Sequence, residues 1–215
     1  MIGSVPGQVK NTRGVKTLSL PPGLPSLILA STSRYRRELL TRLGLPFTAL
    51  APGVDEAATP QQTPLERAQS LALAKAEAVA AKHADATIIG SDQLAVCKGE
   101  LLEKPGTVER CREQLKWASA AAATFYTAVA VLQTQGRPAL QFVDTTTVYF
   151  RALNDGEIDR YIAADQPLDC AGGFRCEGLG ISLFARLVTE DPTALIGLPL
   201  IALSRSLRQC GYPLP

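Results

Sequence analysis

The sequence predicts an α/β domain with a central mixed sheet flanked by helices, and three observations carry that prediction. Short apolar or β-branched runs alternate with helical stretches along most of the 215 residues. Two long β-rich segments, Thr124 to Gln133 and Leu140 to Leu153, flank a turn containing Gly136 and Pro138 and read as an antiparallel hairpin. Helix starts are marked by capping residues at Thr63, Thr107 and Asn154.

With 46% hydrophobic and 20% charged residues, the chain is ordinary for a globular protein and long enough for one sizeable core. Residues 1–25 are rich in glycine and proline without periodicity, so a disordered extension is expected ahead of a domain spanning 26–215. No apolar run approaches the roughly 18 residues of a membrane span, which predicts a soluble chain with no membrane partner. The five cysteines are odd in number and include no Cys-x-x-Cys pair, suggesting neither a disulfide framework nor a zinc site and fitting a reducing cytoplasm. His83, the single histidine, sits near the end of a helical stretch, where a solvated or dipole-facing role is expected rather than catalysis. Lys10, Arg13 and Lys16, with no acid in the first 26 residues, account for the net charge of +2, so the body is near neutral and no nucleic-acid surface is expected.

Leu27 to Ala30 read as a buried strand that passes through Ser31-Thr-Ser33 into a helix, with Leu39, Leu40 and Leu43 at helical spacing and Gly44 as its stop. Arg34, Arg36 and Arg37 crowd the first turn, where the dipole and the unpaired N–H groups favour negative charge. The cluster reads either as a solvated basic start or as an anion site, with Ser31, Ser33 and the guanidinium groups around a phosphate. After a strand at Phe47 to Leu50, a turn presents Glu56 from a loop, where a carboxylate can reach a site or simply face water.

Thr63-Pro64-Leu65-Glu66 is a capping box opening a helix to about Lys82. Lys75 lies among Leu71, Ala72, Ala76 and Val79 on that helix, so its ammonium either snorkels to water or meets an anion. Ala86 to Val96 reads as a strand interrupted by Gly90-Ser-Asp-Gln93, and Asp92 there is either a paired, functional acid or a strand-end acid facing water. Lys98-Gly99 marks a turn, after which Lys104 is held extended by Pro105. Thr107 caps a helix to about Trp117, which is expected to be a packing residue. Asn154 starts another helix to about Ala164, and Gly197-Leu-Pro199 opens the last, stopped by Gly211. Between them, the glycine-dense Cys170 to Gly180 either passes close to a ligand or makes sharp turns, and Glu177 there is placed to accept hydrogen bonds from a base edge.

A basic helix start, two further lysines and separated acids, without a nucleophile–histidine pair or Walker loop, fit metal-assisted attack of water on a phosphoanhydride. Ala30-Ser-Thr-Ser-Arg-Tyr-Arg-Arg37 resembles the opening motif of the Maf-like nucleoside triphosphate pyrophosphatases, and the likeness continues in order over about residues 27 to 210. It implies two lobes around a nucleotide cleft lined by Ser31, Ser33, Arg36, Arg37, Glu56, Lys75, Asp92 and Lys104. Asp92 would be the proton acceptor, with Lys75 and Lys104 as catalytic cations and Glu56 and Asp92 near a divalent metal, Mg²⁺ or Mn²⁺.

Tyr35, Gln93 and Glu177 resemble the branch that hydrolyses 7-methylguanosine triphosphate, whereas the dTTP/UTP branch typically carries Arg, Thr and Gln there. A cationic methylated guanine would favour an aromatic face and a carboxylate. The resemblance implies hydrolysis to a monophosphate and pyrophosphate in nucleotide-pool cleaning, by a cytoplasmic homodimer. The alternatives are a dTTP/UTP pyrophosphatase and a non-catalytic nucleotide-binding regulator of cell division. Two positions depart from the family pattern: Arg34 stands where proline is usual, and Ser70 where a helix arginine is common, with Arg67 one turn earlier as a substitute.

Overall fold

Local signals and tertiary pairing agree over most of the chain in the computed structural model, which describes residues 18–56, 63–133 and 137–215. Strand β1 (Ser26–Ala30) is followed by helix α1 (Arg34–Thr41), β2 (Phe47–Leu50), α2 (Pro64–Ala80), the long β3 (Ala86–Cys97) and the short β4 (Glu100–Leu102). Helix α3 (Val108–Ala118), the hairpin β5 (Ala122–Gln133) and β6 (Leu140–Phe150), α4 (Asp155–Asp165), β7 (Phe184–Val188) and α5 (Leu200–Gln209) complete the order. The expected caps form: Thr63–Glu66 and Asn154–Glu157 are both closed capping boxes, and Thr107 accepts from the Arg110 N–H.

The sheet runs β2-β1-β3-β5-β6-β7, with β4 paired to β3. It is mixed because β1 lies parallel to β2 and β3, whereas β3, β5, β6 and β7 pair antiparallel. Along one side of β3, β1 covers Ala86 to Gly90 and β4 covers Ala95 to Cys97, so Ser91 to Leu94 have no strand neighbour there among the described residues. β5 pairs with β3 along the opposite side from Thr87 to Cys97. The sheet therefore splits beside Ser91 to Leu94, at the carboxyl end of β1, the kind of crevice in which α/β sheets bind ligands.

Two apolar cores flank that split and make the two lobes. One joins Leu27, Leu29, Leu39, Leu40, Ile89, Leu203 and Leu207 from β1, α1, β3 and α5. The other joins Ala95, Leu115, Phe125, Ile158 and Phe174 from β3, α3, β5, α4 and the segment after it. Because β3 feeds one core with Ile89 and the other with Ala95, its polar Gly90-to-Gln93 stretch falls between them without ending the strand. Each fully buried Leu, Ile or Phe adds about 1.5–3 kcal/mol, so the two ends are anchored while the middle is free to be polar.

Gly90 has a packing reason. A Cβ there would lie 2.1 Å from the Ala72 carbonyl oxygen and 2.7 Å from the Ala76 nitrogen. Ala68, Ala72 and Ala76 form a small-residue stripe that lets α2 lie against β3 at this close approach, which brings Lys75 over the strand.

Some expectations need correction. Trp117 is 47% exposed and lies under the Lys98 ammonium, 4.7 Å from the ring centroid, so it clamps the β3–β4 turn rather than filling the core. Leu18, Leu20 and Leu24, in the stretch expected to be an extension, pack on the first core, and the Tyr212 hydroxyl donates to the Pro25 carbonyl at 2.9 Å. Residues 1–17 and Gly136 of the hairpin turn lie outside the described residues. The apolar Leu179 to Phe184 run forms a 3₁₀ turn, Leu179–Leu183, leading into the edge strand β7.

Candidate active site

The split opens into a cleft of about 470 Å³ between the lobes. Its floor is an ion cluster: Lys75 Nζ, on a residue only 6% exposed, lies 2.6 Å from both Glu56 Oε1 and Asp92 Oδ1. Of the two sequence readings for Lys75, the anion partner holds and the snorkel does not, because the close helix–strand approach directs the side chain inward. Asp92 is likewise a paired interior acid, not a strand-end acid in water. Burial raises Glu56's pKa, but the Lys75 hydrogen bond and charge, with Lys104 and Arg36, bring its carboxyl below the usual range.

Ser31 and Ser33 lie where β1 passes into α1, and both line the cleft. Ser31 Oγ accepts from the Ser33 N–H at 3.2 Å, and Ser33 Oγ accepts from the Arg36 N–H at 3.4 Å. Each hydroxyl therefore spends an acceptor site on shaping the turn and keeps its hydrogen for an incoming anion. Arg36 Nε donates to the Gly197 carbonyl at 3.0 Å, which fixes the fork and leaves its terminal nitrogens for a ligand. Lys104 lines the same space after β4. Arg37 does not: one helical step rotates it by about 100° to the exposed face, away from the cleft that Arg36 lines.

The rest of the cleft lining is suited to a flat ring. Leu94, Phe125, Phe174, Leu195 and Ile196 supply apolar walls, with Tyr35, Gln93, Asp169 and Glu177 as polar contacts. Gln93 Nε2 donates to Thr127 Oγ1 at 2.8 Å and lies 3.0 and 3.2 Å from the Ala194 and Leu195 carbonyls, so the amide has its oxygen left to offer. Cys170 and Cys176 also line the cleft, but burial pushes both thiols up to about 12, which disfavours the thiolate at neutral pH.

Sequence reasoning passed over several supporting residues. Gly197, at φ +126°, turns its carbonyl to accept from both Arg36 and Ser91 Oγ, the latter at 3.1 Å. Buried Asp191 holds this turn by accepting from the Thr193 N–H at 2.8 Å and the Ile201 N–H at 2.6 Å. The Asp191-Pro-Thr193 run was a readable turn signal, whereas Asp169 had none. Arg67, expected as the substitute for a helix arginine at position 70, is not among the residues lining the cleft; its Nη2 donates to the Glu56 carbonyl at 3.1 Å and braces that loop.

The donor set fits a divalent cation bound together with phosphate. Glu56 and Asp92 already converge on one cationic nitrogen, and a Mg²⁺-like ion takes its remaining ligands from phosphate oxygens and water. No group of three or more metal-ligating residues forms among the described residues, so the protein alone supplies only part of a coordination shell.

Comparison with known proteins decides the family, since the model of the Maf-like protein matches residues 26–210. The chain belongs to the Maf-like family. Relatives named 7-methyl-GTP pyrophosphatase include one from Xanthomonas axonopodis pv. citri, 53% identical over 192 residues, covering 89% of this chain and all of that protein. The Nitrosococcus oceani protein of the same name is 48% identical over 197 residues, covering 91% and 99%, and that of Bordetella pertussis is 50% identical over 192, covering 89% and 96%. Among solved structures, the Staphylococcus aureus Ham1 protein shares 15% identity with a TM-score of 0.41 over 58% of this chain and 71% of that one. The Maf-like chain contains no helix long and apolar enough to cross a membrane among its described residues.

Proposed function

We propose that this Maf-like protein hydrolyses 7-methyl-GTP to 7-methyl-GMP and pyrophosphate. The observation that carries the reaction class is the buried Lys75–Asp92 pair, joined from the exposed loop by Glu56, beside the basic α1 start within one cleft. The relatives' shared name, at about half identity over nine-tenths of the chain, supports the substrate.

In this reading the Ser31 and Ser33 hydroxyls, the free N–H groups of α1, Arg36 and Lys104 bind and orient the triphosphate. Lys75 holds the Asp92 carboxylate in place through their 2.6 Å contact. Asp92 takes the proton of a water whose oxygen bonds to the α-phosphorus, while the bond from that phosphorus to the bridging oxygen breaks and pyrophosphate leaves with the electron pair. A Mg²⁺ or Mn²⁺ ion held by Glu56 and Asp92 would neutralise phosphate charge as the leaving group departs. The Gln93 amide oxygen and the Glu177 carboxylate accept from the N–H donors of guanine, and the Tyr35 ring and the nearby acids favour a base carrying positive charge. The same proposal places the protein in the cytoplasm as a homodimer that cleans the nucleotide pool.

The test is pyrophosphate release from 7-methyl-GTP, GTP, dTTP and UTP by the wild type and by Asp92→Asn. Preference for 7-methyl-GTP, with a loss of about 10³-fold in the variant, is expected. Preference for dTTP or UTP overturns the substrate. No turnover, with nucleotide binding intact, leaves a regulator that uses the same cleft.

A further inference from the structure

Arg34 lines the same cleft as Tyr35, whose ring the proposed function sets against the base. Its guanidinium lies 4.6 Å from the centroid of the Tyr35 ring, and its Nη2 donates to the Tyr35 hydroxyl at 2.6 Å. Asp169 ties the arrangement together: Oδ1 accepts from the Tyr35 hydroxyl at 3.1 Å, and Oδ2 lies 3.5 Å from Arg34 Nη2. Arg34, Tyr35 and Asp169 all line the cleft that Glu177 and Gln93 also line. The ring expected to attract a cationic base thus already has a cation over one face.

A base that stacks on the covered face must displace the guanidinium from the ring. One that stacks on the opposite face stands roughly 8 Å from it, with the ring between. A neutral purine loses little in either pose. A purine with a fixed positive charge meets a like charge, and the ring's negative face is shared between two cations. We propose that Arg34 is a specificity-determining residue that holds down the cleft's preference for a cationic nucleobase over a neutral one, with Asp169 as the counter-charge that sets how strongly it does so. This rests on the reading that the cleft receives a purine nucleotide at the Tyr35 end. It predicts that the chain discriminates methylated from unmethylated purine nucleotides less sharply than it would without Arg34.

The side chains of Arg34 and Asp169 are 52% and 55% exposed, so neutral replacements leave the fold intact. Dissociation constants for 7-methyl-GMP and GMP are measured by calorimetry on the wild type, Arg34→Gln and Asp169→Asn, with kcat/KM for the two triphosphates alongside. Arg34→Gln is expected to raise the preference for the methylated nucleotide by about three- to tenfold. Asp169→Asn, which keeps an acceptor for Tyr35 but frees the cation from its partner, is expected to lower it. A purely structural role would move both nucleotides together. A preference unchanged within about twofold in Arg34→Gln, a change of the opposite sign, or no binding of either monophosphate overturns the proposal. If no triphosphate is hydrolysed, the hydrolase reading fails on its own, and the monophosphate ratio still decides the role of Arg34.

Discussion

Lys75 shows how much one side chain settles in this protein. Its ammonium keeps Glu56 and Asp92 together, so removing it leaves a buried carboxylate facing a second one. Lys75→Met is expected to cost about 3 kcal/mol, the scale for stripping a buried pair of one partner. Asp92→Asn added to it should cost less than the sum of the two by about 1–3 kcal/mol, as read from a double-mutant cycle in urea. Arg36 and Arg37 separate cleanly: Arg36→Ala should lower kcat/KM by about 100-fold, whereas Arg37→Ala should stay within about twofold, because only Arg36 reaches the cleft. Glu56 gives a pH signature. Its folded pKa lies below the ordinary 4.5, so its contribution to stability is present above that value and lost as pH falls through the lower folded value. Thermal midpoints from pH 6 down to 3 should therefore fall less steeply in Glu56→Gln than in the wild type, and modestly, since this carboxylate is 59% exposed.

Two contacts between elements decide whether the residues meet at all. The first is α2 on β3 at Gly90, where any Cβ would collide with helix backbone at Ala72 and Ala76. Gly90→Ala should lower stability by about 2–3 kcal/mol and reduce kcat with it, because α2 can yield only by carrying Lys75 away from Asp92. The second is the turn before α5, held by Asp191. Asp191→Ala removes the acceptor for the Thr193 and Ile201 N–H groups and loosens the Gly197 carbonyl that seats Arg36. A rise in KM larger than the fall in kcat would mark that seat as a binding support. The capping boxes at Thr63 and Asn154 were legible residue by residue, because a cap is satisfied within three positions of chain. The inward turn of Lys75 was not, since a lysine beside an apolar stripe looks the same whether it ends in water or on a carboxylate.

At the scale of the whole molecule, β3 and β5 are shared by both cores, so they should be the last elements to open. Hydrogen exchange followed by mass spectrometry is expected to be slowest in peptides from 86–97 and 122–133 and faster in β7, which lies at the sheet edge. The α/β class, the hairpin, most helix limits and the cleft motifs could be read from the chain, because propensity, capping and hydrophobic period act over a few residues. Trp117 packs, as expected, outside the cleft, but on the Lys98 ammonium and half exposed rather than in a core, a partner that no local signal gives. The sequence by itself determined the alternation of strand and helix, the polar break at Gly90 to Gln93 and the kinds of charge available. Only the tertiary structure decided that this break lies between two cores, that Arg36 rather than Arg37 enters the cleft, and that Arg34 covers the Tyr35 ring. Those facts depend on strand order and on side chains distant in sequence, and no local preference encodes which of them meet.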